Sequence, residues 1–432
     1  MERDSNSGIS ILIVGGGIAG LTLAIESYRK GHNVKVIERR DEAKDLGELI
    51  VISAPALRTP MKSWPGFMEK AKAHALDPLA NLWKFDGTLV GTWPVVAPDV
   101  PVLVIYRSKL HQVLHEYAEG LGIVTNFSHT AVSYFEEEGK GGVVVEDGRR
   151  LTADVVVAAD GVGSRSWELV LGEKQAPISS GFALYRVTFP IEPLYRNPVL
   201  AEVLQQSKTY FCTFAGPDAH IVIGKTETEI CWLLTHRDEE DSEESWSKTT
   251  SCDDALRYVK NWSPFVKALI DATPDHRVLS WKVMWRDPQP KWVSALGRVV
   301  QIGDAAHPFL PTSGSGATMA MEDAITLATC LRISGKDETP TGVKVFNKLR
   351  FERVACAQKL GFKTREVLHK TDWDYVKKHP EIMKNRLGGW LLKHDPEDTN
   401  GVPGYTYKPW TVKELLDASD KGQLVEDEGN WM

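Results

Sequence analysis

The chain has 432 residues, 42% of them hydrophobic and 25% charged, with a formal net charge of −7. That length and apolar content suit one large or two medium globular domains and exclude a disordered chain. The acid excess argues against a protein that gathers nucleic acid through its charge. The five cysteines (Cys212, Cys231, Cys252, Cys330, Cys356) lack CxxC or metal-ligand spacing, which excludes a disulfide scaffold and offers no metal site.

Met1–Ser10 is polar, carries three charges and has no apolar h-region, so it does not read as a signal peptide. No apolar run approaches the roughly 18–20 residues that cross a bilayer. A soluble, cytoplasmic protein is therefore expected. The 14 tryptophans are many for the length, and core packing is their first explanation.

In chain order, Ile9–Val14 is a continuous apolar run, the mark of a strand buried on both faces. A glycine-rich turn follows, then helical spacing over Leu21–Lys30, closed by Gly31, and a second strand at Asn33–Ile37 that ends in Glu38-Arg39-Arg40. This is a right-handed βαβ unit. From 41 to about 100 the signal is mixed. Arg107–Leu121 has helical period, and Thr130–Phe135, Gly141–Glu146 and Leu151–Ala159 read as a meander. Between 177 and 295 the texture changes to short alternating segments: Gly181–Phe189, Thr209–Phe214, His220–Lys225 and Ile230–Thr235 predict an antiparallel sheet. Arg237–Glu244 reads as a solvated loop and Cys252–Ile270 as one helix. Arg298–Ile302 returns to the buried-strand texture, followed by helices over Ala317–Ile333 and Val343–Leu368. The tail from Asp395 carries nine acids and three lysines and is expected to lie over the surface or be partly disordered.

The first chemical motif is Gly15-x-Gly17-x-x-Gly20 between strand and helix. Gly15 permits the tight turn, Gly17 lets backbone approach a pyrophosphate, and Gly20 lets the helix pack on the sheet, with the phosphates at the positive end of the helix dipole. Glu38 stands 18 residues beyond Gly20, where a carboxylate accepts ribose hydroxyls and repels a 2′-phosphate. The site suits FAD or NAD rather than NADP. No second GxGxxG follows, since Gly161-Val162-Gly163 and Gly314-Ser315-Gly316 lack the spacing, so one tightly bound dinucleotide is expected. The third feature is the strand of Val299–Ile302 ending in Gly303-Asp304, with Pro311 and Gly314-Ser315-Gly316 leading into a helix. An acid at the carboxyl end of a strand in the same sheet is where ligands of α/β folds bind.

These three motifs together, Gly15–Gly20, Asp160-Gly161 in AADGVGSRS and Gly303-Asp304 in GDAAHPFLPTSGSGATMAMEDA, resemble the group A FAD-dependent monooxygenases of the p-hydroxybenzoate hydroxylase type. The resemblance spans most of 9–370 and is nearest to the fungal secondary-metabolite branch. It implies an α/β fold: a Rossmann-like FAD-binding domain in two parts (1–176 and 296–370), an inserted antiparallel substrate lobe (177–295), and a helical or extended C-terminal tail (371–432). It further implies that Glu38 binds the ribose and Arg107 the FAD phosphates or ribose. Asp160 would lie by the NAD(P)H path, and Asp304 would hold the ribityl chain. Val51, within Gly47–Val51, and Ala317 would line the flavin, and Arg39, Gly303, Pro311 and Gly316 would complete the set.

The same resemblance places a catalytic arginine at Arg186, in Ala183–Arg186; the alternative is a surface arginine on a strand edge. His220–Lys225 offers no tyrosine of the kind some phenol hydroxylases of that branch use, and His307 reads as structural rather than as a base. The implied reaction consumes NAD(P)H, with NADPH favoured, and O2. It proceeds through a flavin C4a-hydroperoxide that must be kept dry, and transfers one oxygen to an electron-rich aromatic or indole-like small molecule by hydroxylation or epoxidation. Trp232, Trp281 and Trp285 are either substrate platforms or core. Two other enzyme readings stay open, a flavin oxidase or dehydrogenase without NAD(P)H and a catabolic phenol hydroxylase, as does a non-catalytic nucleotide-binding regulator.

Overall fold

Strand Ser10–Val14 occupies the middle of a five-stranded, all-parallel sheet. The order across it is Val299–Gln301, Val155–Ala158, Ser10–Val14, Asn33–Ile37 and Thr125–Asn126. The computed structural model describes residues 1–43, 47, 49–173, 175–238, 248–379 and 389–397. The central strands are apolar at nearly every position because both sheet faces are covered. On one face helix Ile18–Arg29 packs against helix Gly316–Ser334, and on the other lies a three-stranded meander of Ala131–Glu137, Lys140–Val145 and Arg150–Ala153.

The last segment of that meander departs from the single strand expected at Leu151–Ala159. Asp154 divides it. Its carboxylate accepts hydrogen bonds from the Ser10 N–H and hydroxyl, each at 2.7 Å, and its own N–H donates to Ser10 Oγ at 2.9 Å. Arg150–Ala153 therefore closes the antiparallel meander, while Val155–Ala158 enters the parallel sheet.

The second lobe is an eight-stranded sheet in the order Thr249–Ser251, Arg277–Trp285, Ile178–Pro190, Glu229–Arg237, Ala219–Lys225, Tyr210–Gly216, Leu79–Lys84 and Leu89–Pro94. All neighbours are antiparallel except Tyr210–Gly216 with Leu79–Lys84. The edge hairpin comes from the stretch that had no clear sequence signal. One face of this sheet buries Tyr185, Phe189, Ile221, Ile223, Trp232 and Leu234 against helices Pro198–Leu204, Cys252–Tyr258 and Pro264–Asp271. The last two were expected as one helix. Pro264 cannot continue a helix, and Ser263 starts a new one by accepting the Phe265 N–H at 3.3 Å.

A small sheet of Leu49–Ser53, Val102–Tyr106 and Ala75–Leu76 bridges the lobes, with the Tyr106 hydroxyl donating to the Gly224 carbonyl at 2.9 Å. The long helix Thr339–His369 and the segment 389–397 finish the described chain. The acidic tail beyond Glu397 and most of Arg237–Glu244 lie outside the described residues. Among the described residues no helix is long and apolar enough to cross a membrane.

Candidate active site

The carboxyl ends of four parallel strands lie side by side. Gly15 N–H donates to Ile37 O at 2.8 Å, Ala159 N–H to Val14 O at 2.8 Å, and Ile302 N–H to Ala158 O at 3.0 Å. The register thus brings Gly15–Gly17, Glu38, Asp160 and Gly303-Asp304 to one sheet edge, the usual ligand crevice of an open α/β sheet.

The glycines of the first turn differ in what surrounds them. Gly15 has φ +109°, and a Cβ there would stand 2.4 Å from the Ala159 carbonyl oxygen. At Gly20 a Cβ would meet the Gly15 carbonyl oxygen at 1.9 Å. At Gly17, by contrast, a Cβ would find nothing within 4 Å, and the residue caps helix Ile18–Arg29 without a side-chain partner for its first N–H groups. Two glycines are needed by the protein itself; the third faces open space at a helix N-terminus, which is room for a phosphate.

Glu38 is fixed by backbone: Oε2 accepts the Gly16 N–H at 2.7 Å and Oε1 the Arg40 N–H at 3.0 Å. His111, on helix Arg107–Gly120, has its Nε2 2.8 Å from the Gly16 carbonyl, so that nitrogen carries the proton and donates. Asp160 Oδ2 accepts from the Tyr134 hydroxyl at 2.7 Å. Burial raises the Asp160 carboxyl above its ordinary range, opposed by hydrogen bonds from Ser164 and Tyr134 and by the charge of Arg39. Burial, and then Asp160, hold Tyr134 protonated. Arg39 itself is exposed.

Solvent reaches Asp304, yet desolvation raises its carboxyl, opposed by the charges of His307, Arg107 and Arg286. That combination describes an acid on the floor of a cleft. Arg107 opens its helix directly after strand Val102–Tyr106, and a Cβ on Gly47 would touch its side chain at 2.9 Å. Helix Gly316–Ser334 begins at the far side with no side-chain cap. Its Thr318 hydroxyl accepts the Ser53 N–H at 3.1 Å, drawing strand Leu49–Ser53, with Val51, beside Ala317. Pro311 lies in an exposed turn that Gly314 closes in the left-handed region (φ +59°).

Arg186 is 7% exposed, on a strand flanked on both sides, and is not a surface arginine. It shares a face with Leu184 and stands opposite Leu233 and Leu279 on the neighbouring strands. Its guanidinium carbon is 5.5 Å from the Trp281 ring centre. Leu184, Leu233 and Trp281 cluster with Leu310 and Phe362 from the nucleotide lobe, and Leu233 also belongs to the cluster containing Val51. The sheet face bearing Arg186 therefore looks onto Leu310, in the loop that follows Asp304, and borders the cluster that holds Val51. The other two tryptophans are core: Trp232 is fully buried on the opposite face and donates to Thr273 Oγ1 at 3.1 Å, and Trp285 packs edge-on against Phe362 at 4.8 Å.

Farther along, a polar cavity of about 180 Å3 lies between Ser179–Phe182 and the end of the long helix. Its ions pair locally, Arg237 with Asp218 at 2.7 Å and Lys370 with Glu366 at 2.9 Å, so it offers little charge to a ligand. Sequence reasoning had no signal for His111, Tyr134 or Arg286. The adjacent acids Glu322-Asp323, inside a largely apolar helix, were also passed over, although two acids on a buried helix are a signal of buried partners.

Fold and crevice define a dinucleotide-binding α/β protein with an eight-stranded sheet packed on the nucleotide lobe. The FAD binding domain family matches residues 9–341, and the chain belongs to it. It is 34% identical to the FAD-dependent monooxygenase fsr3 of Gibberella fujikuroi, over 99% of this chain and 90% of that protein. It is 32% identical to the asperlicin C monooxygenase of Petromyces alliaceus, over 90% of this chain and 87% of that one. Among solved structures it is similar to FqzB (TM-score 0.82, 31% identity, 99% of this chain and 97% of that chain). It is also similar to CtdE in complex with FAD and a substrate (TM-score 0.83, 29% identity, 90% and 96%). The protein is an FAD-dependent monooxygenase related to these fungal enzymes. The open face of Gly17, the solvent-reached Asp304 and the uncapped helix at Gly316 fit FAD.

Proposed function

We propose that the enzyme uses NADPH and O2 to add one oxygen atom to an electron-rich aromatic or indole-like small molecule, as a step of fungal secondary metabolism. Bound FAD supplies electron transfer from the nicotinamide and activation of O2. The chain's own residues do the rest. Gly17 and the helix behind it hold the pyrophosphate, Glu38 the adenosine ribose, and Asp304 with Arg107 the middle of the cofactor. Val51, Pro311, Gly316 and Ala317 border its ring. Asp160 and the exposed Arg39 stand where a nicotinamide dinucleotide docks and leaves, since the chain has one GxGxxG only.

Arg186 is the observation that carries this reading. A buried cation on the sheet face opposite Leu310, with Trp281 beside it, is placed to hold a substrate carbonyl or phenolate or to donate a proton to an oxyanion that develops as oxygen is transferred. Leu184, Leu233 and Trp281 make that face apolar and exclude water. The related asperlicin C monooxygenase and the substrate-bound CtdE structure support a small-molecule substrate. The test is turnover of a panel of phenols and indoles with NADPH under isotopically heavy O2. The expected product carries one heavy oxygen for each NADPH consumed. Product formed without NADPH, with release of peroxide, would replace this reading with that of a flavin oxidase.

A further inference from the structure

Gly303 sits in the left-handed region (φ +58°), and a Cβ there would lie 3.1 Å from the Cβ of Ala19 and 3.4 Å from that of Ala320. The turn that presents Asp304 is thus wedged between two helices. What fixes it electrostatically is Asp323, about two turns into helix Gly316–Ser334. Its Oδ2 accepts the Gly303 N–H at 3.0 Å and lies 2.5 Å from His307 Nε2, while Oδ1 accepts from Arg350 Nε at 2.8 Å. Arg350 also donates to Glu322 Oε2 at 2.5 Å. Glu322 receives a two-pronged bond from Arg353, Nε at 2.8 Å and Nη2 at 2.9 Å. Arg353 then reaches the carbonyls of Trp390 and Leu391, each at 2.9 Å. All four charged residues are at most 1% exposed. Two carboxylates face two guanidinium groups, with His307 against Asp323, and each of the four ions is hydrogen-bonded on more than one side.

Burying that many ions is a poor way to gain stability, since apolar side chains of similar volume serve as well or better. What such a network does provide is a unique geometry. We propose that Asp323 is a positioning residue for the cofactor. Anchored through Arg350, Glu322 and Arg353 to the segment 389–397, it holds the Gly303 N–H so that Asp304 is presented to FAD. This rests on the assignment of Asp304 as an FAD-binding residue. The segment at the far end is itself fastened: Arg58 donates to the carbonyls of His394 and Leu392, each at 3.1 Å, and Thr326 to that of Pro396 at 2.9 Å. Burial drives the Asp323 carboxyl upward, but His307 and Arg350 outweigh it and keep it ionised.

The test is a double-mutant cycle read as the Kd of FAD for the apoprotein of the full chain. D304A alone must weaken FAD; if it does not, the assignment of Asp304 fails, separately from the coupling. D323N is expected to raise the Kd about tenfold in the chain that keeps Asp304 and less than about twofold in the D304A chain, because its effect passes through that acid. The same fold-change in both backgrounds would show a general structural role and overturn the proposal. R350K keeps the charge but loses the fork joining Glu322 and Asp323. It serves as the second variant if D323N does not fold: a loss confined to the Asp304 background supports the proposal, and an equal loss in both refutes it.

Discussion

Arg186 and Trp281 come from adjacent antiparallel strands, and the guanidinium carbon lies 5.5 Å from the indole centre on the sheet face that meets Leu310 and Phe362. The opposite face of the same sheet is closed by three helices. One strand thus contributes Tyr185 and Phe189 to a sealed core and Leu184 and Arg186 to the crevice, by the two-residue period alone.

The first expectation concerns the cation. Arg186→Met keeps most of the volume and removes the charge, so product formation should fall by about 100-fold or more while bound FAD per chain is unchanged. A variant that loses its flavin instead would place Arg186 in cofactor binding.

The two outer glycines of the turn and the middle one should fail differently. A methyl at Gly20 would collide with backbone at 1.9 Å, so Gly20→Ala should cost about 3 kcal/mol or more in urea unfolding of the apoprotein. Gly17→Ala meets only open space; it should change apoprotein stability by less than about 1 kcal/mol yet raise the FAD Kd about tenfold or more. Fluorescence titration with FAD checks the second half.

Trp232→Phe should destabilise the fold by about 2 kcal/mol, since it empties volume in a sealed core and removes the indole N–H that the Thr273 hydroxyl accepts. Trp281→Phe should leave stability nearly unchanged and alter KM. Steady-state kinetics beside thermal melts separate the two outcomes.

Acid should destabilise the protein through histidines kept neutral by burial. Desolvation lowers His32 to about 4 and His394 to about 3, and it drives His369 down as well. Their folded values lie below the ordinary 6.5, so the stability is fully present above that pH and is lost as the unfolded chain takes up protons below it. At pH 5 His32 and His394 should each have forfeited about 2 kcal/mol relative to pH 7.5. Glu322 and Glu397, both held at about 2 by arginine and lysine partners against burial, extend the loss below pH 4.5. Urea midpoints across pH 4–8 measure the slope; a flat profile contradicts these shifts.

The parallel sheet was legible because its strands are unbroken apolar runs with glycine turns at their ends, so Gly15, Glu38, Asp160 and Asp304 fell at one edge by topology. Arg186 was singled out only through the family resemblance, since a lone arginine in an alternating strand carries no sign of which face it takes. The hairpin Leu79–Pro94 was not legible: its partner Tyr210–Gly216 lies far away in sequence, and Pro and Trp blur its period. Asp154 shows the same limit, where one side chain bonding the distant Ser10 divides the single strand expected at Leu151–Ala159 between two different sheets. His111 and Tyr134 act through hydrogen bonds that only the folded chain reveals.

The central claim is that reduced nicotinamide and an aromatic substrate meet at this crevice. The most direct measurement is anaerobic reduction of the purified, FAD-loaded protein by NADPH, followed by the loss of flavin absorbance, alone and with each member of a phenol and indole panel. The account predicts yellow protein whose flavin is reduced several times faster in the presence of one class of compound. Flavin that neither NADPH nor NADH reduces, with every compound tried, would contradict it.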